Sequence, residues 1–183
     1  FFGCGTGEAL KDKAKEGTKE EREQAEKNLR GAWETGCFNE KDGKSQTYTY
    51  EFKKNGAMTY IVHHYDAWNC QQPSFTVAYQ GQYKAKERAY DKVYNETEPW
   101  LMALRYESQD VTVQNQNQAL IFNMRGECGF SGWSDGLALS FIDASCKLGE
   151  FTPGDEQAAI FSVDDDKLRQ FNDDGDKIRT YEK

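Results

Sequence analysis

Short runs of alternating apolar and polar residues fill the chain after residue 29 and predict β-strands. Tyr48, Tyr50 and Phe52 alternate with threonine and glutamate, so one face of that strand is apolar and the other is polar. The run that contains Gly31-Ala32-Trp33, residues 29–38, precedes it and predicts the first strand. About eight to ten short antiparallel strands, with no helical run between them, are typical of a sandwich or a closed barrel. The predicted fold class is all-β.

Later strands are predicted wherever the same alternation returns between turn residues. They cover residues 57–65, 75–83, 100–106, 111–113, 120–124, 136–142, 157–163, 167–171 and 177–181. Gly81 interrupts one of them and indicates a bulge. The predicted barrel domain therefore spans residues 29–183.

The turn at Lys54-Asn55-Gly56 sets the register of the first long hairpin. A two-residue Asn-Gly loop would pair Phe52 with Thr59 and would mix polar and apolar side chains on both faces. A three-residue loop, with Gly56 in the left-handed region, pairs Phe52 with Met58 and keeps the apolar residues on one face. We therefore expect the three-residue loop.

The same register decides where the two adjacent histidines point. His64 faces the interior beside Val62, and His63 faces outward, because neighbouring residues on a strand lie on opposite faces. The pair cannot hold a metal together from a regular strand, and no metal site or cofactor is predicted. His64 is expected to be a hydrogen-bonded core residue.

Residues 5–28 differ from the rest of the chain because they are highly charged and nearly lack apolar residues. Glu23 and Lys27, like Glu26 and Arg30, stand four residues apart and favour a helix. The apolar residues are too few for a buried stripe. The segment is predicted to be a solvated, partly helical tether.

The chain contains five cysteines, and Cys4 stands apart from the others. The sequence Phe1-Phe2-Gly3-Cys4 resembles the end of a bacterial lipoprotein signal, in which the cysteine becomes lipidated. The resemblance implies that residues 1–4 are a signal remnant and that Cys4 carries the lipid. An incidental thiol is the alternative.

The remaining cysteines form an even set, which in an exported chain indicates two disulfides. The first and third strands run parallel, so Cys37 and Cys70, which follow them, lie at the same end of the barrel. We expect a Cys37–Cys70 bond and, by elimination, a Cys128–Cys146 bond. Since the latter pair would lie at opposite ends of a regular hairpin, the stretch between them should be an excursion from the barrel.

A family resemblance rests on Gly31-x-Trp33-x-x-x-Cys37, on Tyr65-Asp66-x-x-x-Cys70-x-x-Pro73 and on Gly81-x-Tyr83. This pattern resembles a lipocalin-like module of bacterial lipoproteins, and also the extracellular domain of the APC-down-regulated Wnt antagonist. The resemblance implies a disulfide-stapled barrel with an apolar interior, and no reaction. It also implies that Trp33 closes the barrel floor, with Arg179 stacked across its ring.

Charge and composition exclude several classes of function. A net charge of −8 disfavours nucleic acid and anionic lipid, since both would repel the chain. No apolar run reaches the roughly 20 residues that span a bilayer, so a membrane link would depend on a lipid at Cys4. The side-by-side histidines do not suit a catalytic triad. The chain is not expected to be an enzyme.

An aromatic barrel interior is the main indication of function. The residues predicted to line a ligand-binding lumen are Tyr48, Tyr50, Tyr60, His64, Phe75, Tyr79, Trp100 and Met102. An eight-stranded barrel can hold one small ligand or can be filled by its own side chains. We expect a small apolar or amphipathic ligand, with His64 near its polar end and an affinity that changes near pH 6.5.

The alternative is a non-catalytic protein-interaction module, such as an assembly factor or an inhibitor of a secreted enzyme. Its core would be packed solid, and loops around Trp68, Trp133 and Gln71-Gln72 would contact a protein partner. Either function would be carried out in the bacterial cell envelope, in the periplasm or at the outer membrane, or otherwise outside the cell.

Overall fold

Eleven strands and two helices make up the described part of the chain. The computed structural model describes residues 14–89, 99–172 and 177–183. The strands are β1 (Ala14–Glu16), β2 (Gly31–Thr35), β3 (Phe38–Asn39), β4 (Ser45–Phe52), β5 (Ala57–Tyr65), β6 (Pro73–Ala89), β7 (Trp100–Val113), β8 (Ala138–Phe141), β9 (Glu156–Asp164), β10 (Lys167–Phe171) and β11 (Lys177–Glu182). The helices are α1 (Lys19–Leu29) and α2 (Gln116–Arg125), and short 3₁₀ turns lie at Trp68–Cys70 and Glu127–Gly129.

The strands form a closed antiparallel barrel of eight strands. Its order is β6-β5-β4-β2-β11-β10-β9-β7, and pairing between β7 and β6 closes the ring. Three short strands extend the barrel wall. Strand β1 pairs with the C-terminal end of β6, β8 pairs with the C-terminal part of β7, and β3 pairs with the start of β4. The predicted all-β barrel is thus confirmed.

The predicted register of the β4–β5 hairpin is also confirmed. Phe52 pairs with Met58, and Tyr50 pairs with Tyr60. Gly56 has a φ of +82°, as the three-residue loop requires. The predicted bulge is present as well, with a register shift between Gln80 and Gly81.

Residues 111–125 differ from the prediction. Val111 and Val113 belong to the long strand β7, and residues 120–124 form part of helix α2 rather than a strand. The Asn115 side chain caps the helix by accepting from the Gln118 N–H at 2.8 Å, and Gly126 ends it in the left-handed conformation. These two cap signals outweigh the apparent alternation of apolar residues.

The charged N-terminal segment is more than a tether. Its helical character is confirmed in α1, which begins with a capping box between Thr18 and Glu21. Ala25 and Leu29, four residues apart, are buried against the barrel, and β1 pairs with β6. The domain boundary at residue 29 and the solvated tether are therefore wrong for residues 14–28. Residues 5–13 lie outside the described residues, as do residues 1–4 with the lipidation candidate Cys4.

Trp33 lies at the end of the barrel that α1 covers, and its side chain is fully buried. Its indole N–H donates a hydrogen bond of 2.6 Å to the Leu29 carbonyl oxygen. The prediction that Arg179 stacks across Trp33 is wrong. The Lys183 ammonium lies over the Trp33 ring instead, 4.6 Å from its centroid. Strand β11 pairs Glu182 with Glu34, which places residue 183 beside Trp33 and residue 179 nearer the other end.

Both predicted disulfides are present. Cys37 is bonded to Cys70 and Cys128 to Cys146, with sequence separations of 33 and 18 residues. The segment between Cys128 and Cys146 leaves the barrel wall, and only β8 returns to pair with β7. The two bonds indicate an oxidising environment outside the cytoplasm. None of the helices in the described ranges is long and apolar enough to cross a membrane.

Candidate ligand cavity

The eight predicted lining residues lie in several parts of the barrel instead of around one lumen. Tyr48 and Tyr50 line a cavity of about 660 Å³. Others line smaller cavities or are packed in the core, and they are described below.

Tyr60, Tyr79 and Met102 are fully buried in the core of the barrel. Tyr60 stacks on Tyr50, with ring centroids 4.4 Å apart, and on Tyr79, with ring centroids 5.9 Å apart. The middle of the barrel is therefore filled largely by its own aromatic rings.

The 660 Å³ cavity lies at the end of the barrel opposite Trp33. Residues from β3, β4, β7, β9, β10, β11 and the segment before β9 surround it, and most are apolar or uncharged. The lining comprises Phe38, Glu40, Gln46, Tyr48, Tyr50, Leu104, Tyr106, Glu150, Phe151, Gln157, Ala158, Ala159, Gln170, Ile178 and Arg179.

Phe151 closes part of this end of the barrel. Its ring stacks on Tyr106 with centroids 4.4 Å apart and contacts the rings of Tyr60 and Tyr79. The Phe151 backbone N–H donates to the Tyr79 hydroxyl at 3.2 Å. A β-carbon at Gly149 would collide with that hydroxyl, so the segment can approach only because residue 149 is glycine. The cavity is the space that remains beside Phe151.

Arg179 is the cationic side chain in the cavity lining. Its guanidinium carbon lies 3.7 Å from the centroid of the Tyr48 ring, and Nη1 donates to the Tyr60 hydroxyl at 3.2 Å. Nη2 lies 3.6 Å from Oε1 of Glu150. The Tyr60 hydroxyl in turn donates to Oε2 of Glu150 at 3.2 Å. Arg179 and Tyr60 together thus bind one carboxylate.

Burial raises the pKa values of the tyrosines around this site. It raises the pKa of Tyr48 and raises the pKa values of Tyr50 and Tyr60 well above 10. Burial also raises the pKa of Tyr79 to about 12. Each hydroxyl therefore remains a hydrogen-bond donor at neutral pH.

Two exposed apolar side chains lie at the rim of the cavity. Phe38 is 40% exposed and Ile178 is 39% exposed, and both belong to the lining. An apolar rim lowers the cost of transferring an apolar molecule from water into the cavity. Neither residue was predicted as a site residue, because both occupy irregular or strand-end positions where the alternation of the pattern ends.

His64 and Phe75 line a separate cavity of about 270 Å³, next to α2. The two rings stack with centroids 4.2 Å apart, and His64 Nδ1 lies 3.2 Å from Nε2 of Gln46. Burial lowers the pKa of His64 to about 4, and the positive charge of Lys44 adds to the effect. His64 is absent from the lining of the 660 Å³ cavity, and a pKa of about 4 does not support a change of its charge near pH 6.5. Gln46 connects the two cavities. It contacts His64 and also accepts a hydrogen bond of 2.5 Å from the Tyr48 hydroxyl.

Trp100 lines a third cavity of about 270 Å³, between α1 and the barrel. Among the residues proposed for protein contacts, Trp133 is buried, with its indole N–H bonded to the Glu127 carbonyl oxygen at 3.2 Å. Trp68 is 56% exposed, as the interaction hypothesis requires.

Glu150 and Phe151 are the lining residues that sequence reasoning missed most clearly. They follow a disulfide in a segment without regular alternation, so no period could assign them a face. The signal that could have drawn attention to them is Gly149, which directly precedes Glu150 and Phe151.

The described residues contain no group of three or more His, Cys, Asp or Glu side chains that could hold a metal ion. The sequence matches no family model, and it matches no curated protein.

Proposed function

We propose that this chain is a cell-envelope protein whose barrel binds one small apolar or amphipathic molecule. The 660 Å³ cavity carries the proposal, because apolar walls and a small polar cluster meet in one place. Ligand sites are usually concave, largely apolar, and about 300–1,000 Å³ in volume, with a few polar groups that orient the ligand. The volume and the lining both fit that description.

The location follows from the cysteines. Two disulfides support an exported chain, and a lipid on Cys4 would attach it to a bacterial envelope membrane. The closed eight-stranded barrel with a buried Trp33 supports the relationship to lipocalin-like lipoproteins that the Gly-x-Trp pattern suggests. Such an attachment would keep the cavity close to membrane lipids and their breakdown products.

A titration with the neutral apolar fluorophore N-phenylnaphthylamine tests the proposal. We expect one-to-one binding and a higher melting temperature, because a ligand that binds only the folded state adds about 2.7 kcal/mol at a hundredfold excess over Kd. The variant Ala159→Trp should abolish binding, since residue 159 is buried in the cavity wall. Ala78→Trp on β6 is a matched control, because the neighbouring Val77 and Tyr79 take the inward positions of that strand.

Unchanged melting in the presence of the fluorophore and of several fatty acids would contradict ligand binding. Binding that survives in Ala159→Trp would move the site away from this cavity.

A protein-interaction module is the second candidate, and exposed apolar residues on α2 favour it. Leu120 is 51% exposed and Met124 is 80% exposed, one helical turn apart. With Trp68 exposed as well, the loop end of the barrel offers apolar contacts. The variant pair Leu120→Ser and Met124→Ser would leave fluorophore binding unchanged if the cavity carries the function.

A further inference from the structure

We propose that the cavity selects amphiphiles with an anionic head group of the carboxylate type, and that this head group binds Arg179 and Tyr60 in place of Glu150. The inference rests on the proposed function, because it assigns the chemical class of the ligand for the same cavity. The observation behind it is that the protein's own carboxylate already occupies a two-point site at the edge of an apolar space.

Arg179 is the fixed member of this arrangement. Its side chain is only 16% exposed, and it is held by the Tyr48 ring on one face and by the Tyr60 hydroxyl at Nη1. A planar guanidinium with several N–H donors binds carboxylates well, and a partly buried one does so more strongly than one in water. The geometry of the donors therefore exists before a ligand arrives.

Glu150 is the member that can leave. Its side chain is 39% exposed, and its contact with Arg179 is long at 3.6 Å. Because the Glu150 carboxylate is partly exposed, water can solvate it once the side chain rotates outward. Its departure would free Nη2 of Arg179 and the proton of the Tyr60 hydroxyl. A ligand carboxylate could then accept the hydrogen bond from the Tyr60 hydroxyl and form the ion pair with Arg179 that the Glu150 carboxylate makes now.

The apolar part of the ligand has a place beside this head-group site. Leu104, Ala158 and Ala159 form one wall of the cavity, and the Phe151 ring forms another part of the lining. The remaining polar lining residues are uncharged glutamines and tyrosines, apart from Glu40, which is exposed at the rim. Once Glu150 turns outward, Arg179 is the charge nearest the ligand's head.

Calorimetry with three probes of equal chain length tests the selection: decanoate, decanol and decylammonium. We expect decanoate to bind the full chain about tenfold more tightly than decanol, since a charge-assisted hydrogen bond exceeds a neutral one by about 1–1.5 kcal/mol. Decylammonium should bind more weakly than decanol.

Two variants separate the roles of the ion pair. Arg179→Gln should reduce decanoate affinity to that of decanol. Glu150→Gln should tighten decanoate binding more than it changes decanol binding, because it removes the charge that competes with the ligand carboxylate. Glu150 lies in an exposed position, so this variant should fold and melt like the parent even if Arg179→Gln does not.

The outcomes distinguish this inference from the proposed function. Equal affinity for decanoate and decanol, or tighter binding of decylammonium, would overturn the anionic selection and leave the apolar site standing. Unchanged decanoate binding in Glu150→Gln would also overturn it. If none of the three probes binds, the proposed function fails as well.

Discussion

His64 shows how burial changes the charge state of a single side chain. Its pKa falls from 6.5 to about 4, first because of burial and then because of Lys44. In the unfolded chain the same imidazole accepts a proton near pH 6.5. Between these two values the unfolded state binds more protons than the folded state, so the folded state loses stability as the pH falls.

We therefore expect the free energy of unfolding to decrease by about 3 kcal/mol between pH 7 and pH 4 from this group alone, at about 1.4 kcal/mol per pKa unit. Urea titrations at a series of pH values measure the slope. His64→Gln should have a clearly shallower slope over this range, because glutamine does not titrate. Identical slopes for the two proteins would show that the buried imidazole is protonated without cost.

Trp33 is the residue whose removal should damage the closed end of the barrel most directly. Its ring is fully buried, and its N–H is bonded to the Leu29 carbonyl oxygen, so a cavity and an unpaired carbonyl would remain in Trp33→Ala. We expect a loss of about 3–5 kcal/mol in the free energy of unfolding. Trp68→Ala is the matched control, and its exposed ring should cost less than about 0.5 kcal/mol. Equal small losses in both variants would contradict this account of the closed end.

At the residue scale the sequence predicted which side chains point inward, but not how far along the barrel they lie. Arg179 lies on β11 and Lys183 directly follows it, and the two are an even number of residues apart, so alternation places both on the same side. Their partners depend on the stagger of β11 against β2, which the alternation of residues does not encode. The stagger places Lys183 at Trp33 and leaves Arg179 at Tyr48.

The segment before β9 is the element that shapes the cavity. Its approach depends on Gly149, where a side chain would collide with the Tyr79 hydroxyl. We expect Gly149→Ala to displace the Phe151 ring, to destabilise the fold and to change ligand affinity.

A double-mutant cycle measures this coupling. Tyr79→Phe removes the hydroxyl that an alanine at position 149 would meet, so Gly149→Ala should cost less stability in the Tyr79→Phe background than in the parent. Additive losses, measured by urea unfolding, would mean that the segment is positioned by other contacts.

Strands and helices were predicted well where a single hydrophobic period dominates the sequence. They were predicted poorly where capping residues determine whether a segment is helical. The β4–β5 hairpin follows from a strict period of two and a single turn that fits it. In residues 116–125 the apolar residues Leu120, Phe122 and Met124 alternate by chance, and of these three only Phe122 is buried. The packing of helix α1 against the barrel was not predicted, because only two residues, Ala25 and Leu29, are buried there and two residues form no visible apolar stripe.

For the whole molecule, the barrel and both disulfides could be predicted because they depend on strand count, chain direction and an even set of cysteines. Whether the lumen is open or filled could not be predicted. Whether aromatic rings fill a barrel depends on how segments outside the wall fold back, and here Phe151 enters the barrel end and stacks on Tyr106. The remaining space is a side cavity whose polar cluster is built by Arg179 and Glu150, 29 residues apart in sequence.

Native mass spectrometry of the full chain, mixed with equal amounts of decanoate and decanol, tests the central claim most directly. We expect one bound amphiphile per chain, predominantly decanoate, and no adduct in Ala159→Trp, because the new indole fills the cavity. An unliganded mass for the parent chain, or the same adduct in the filled variant, would contradict a ligand-binding cavity at this end of the barrel.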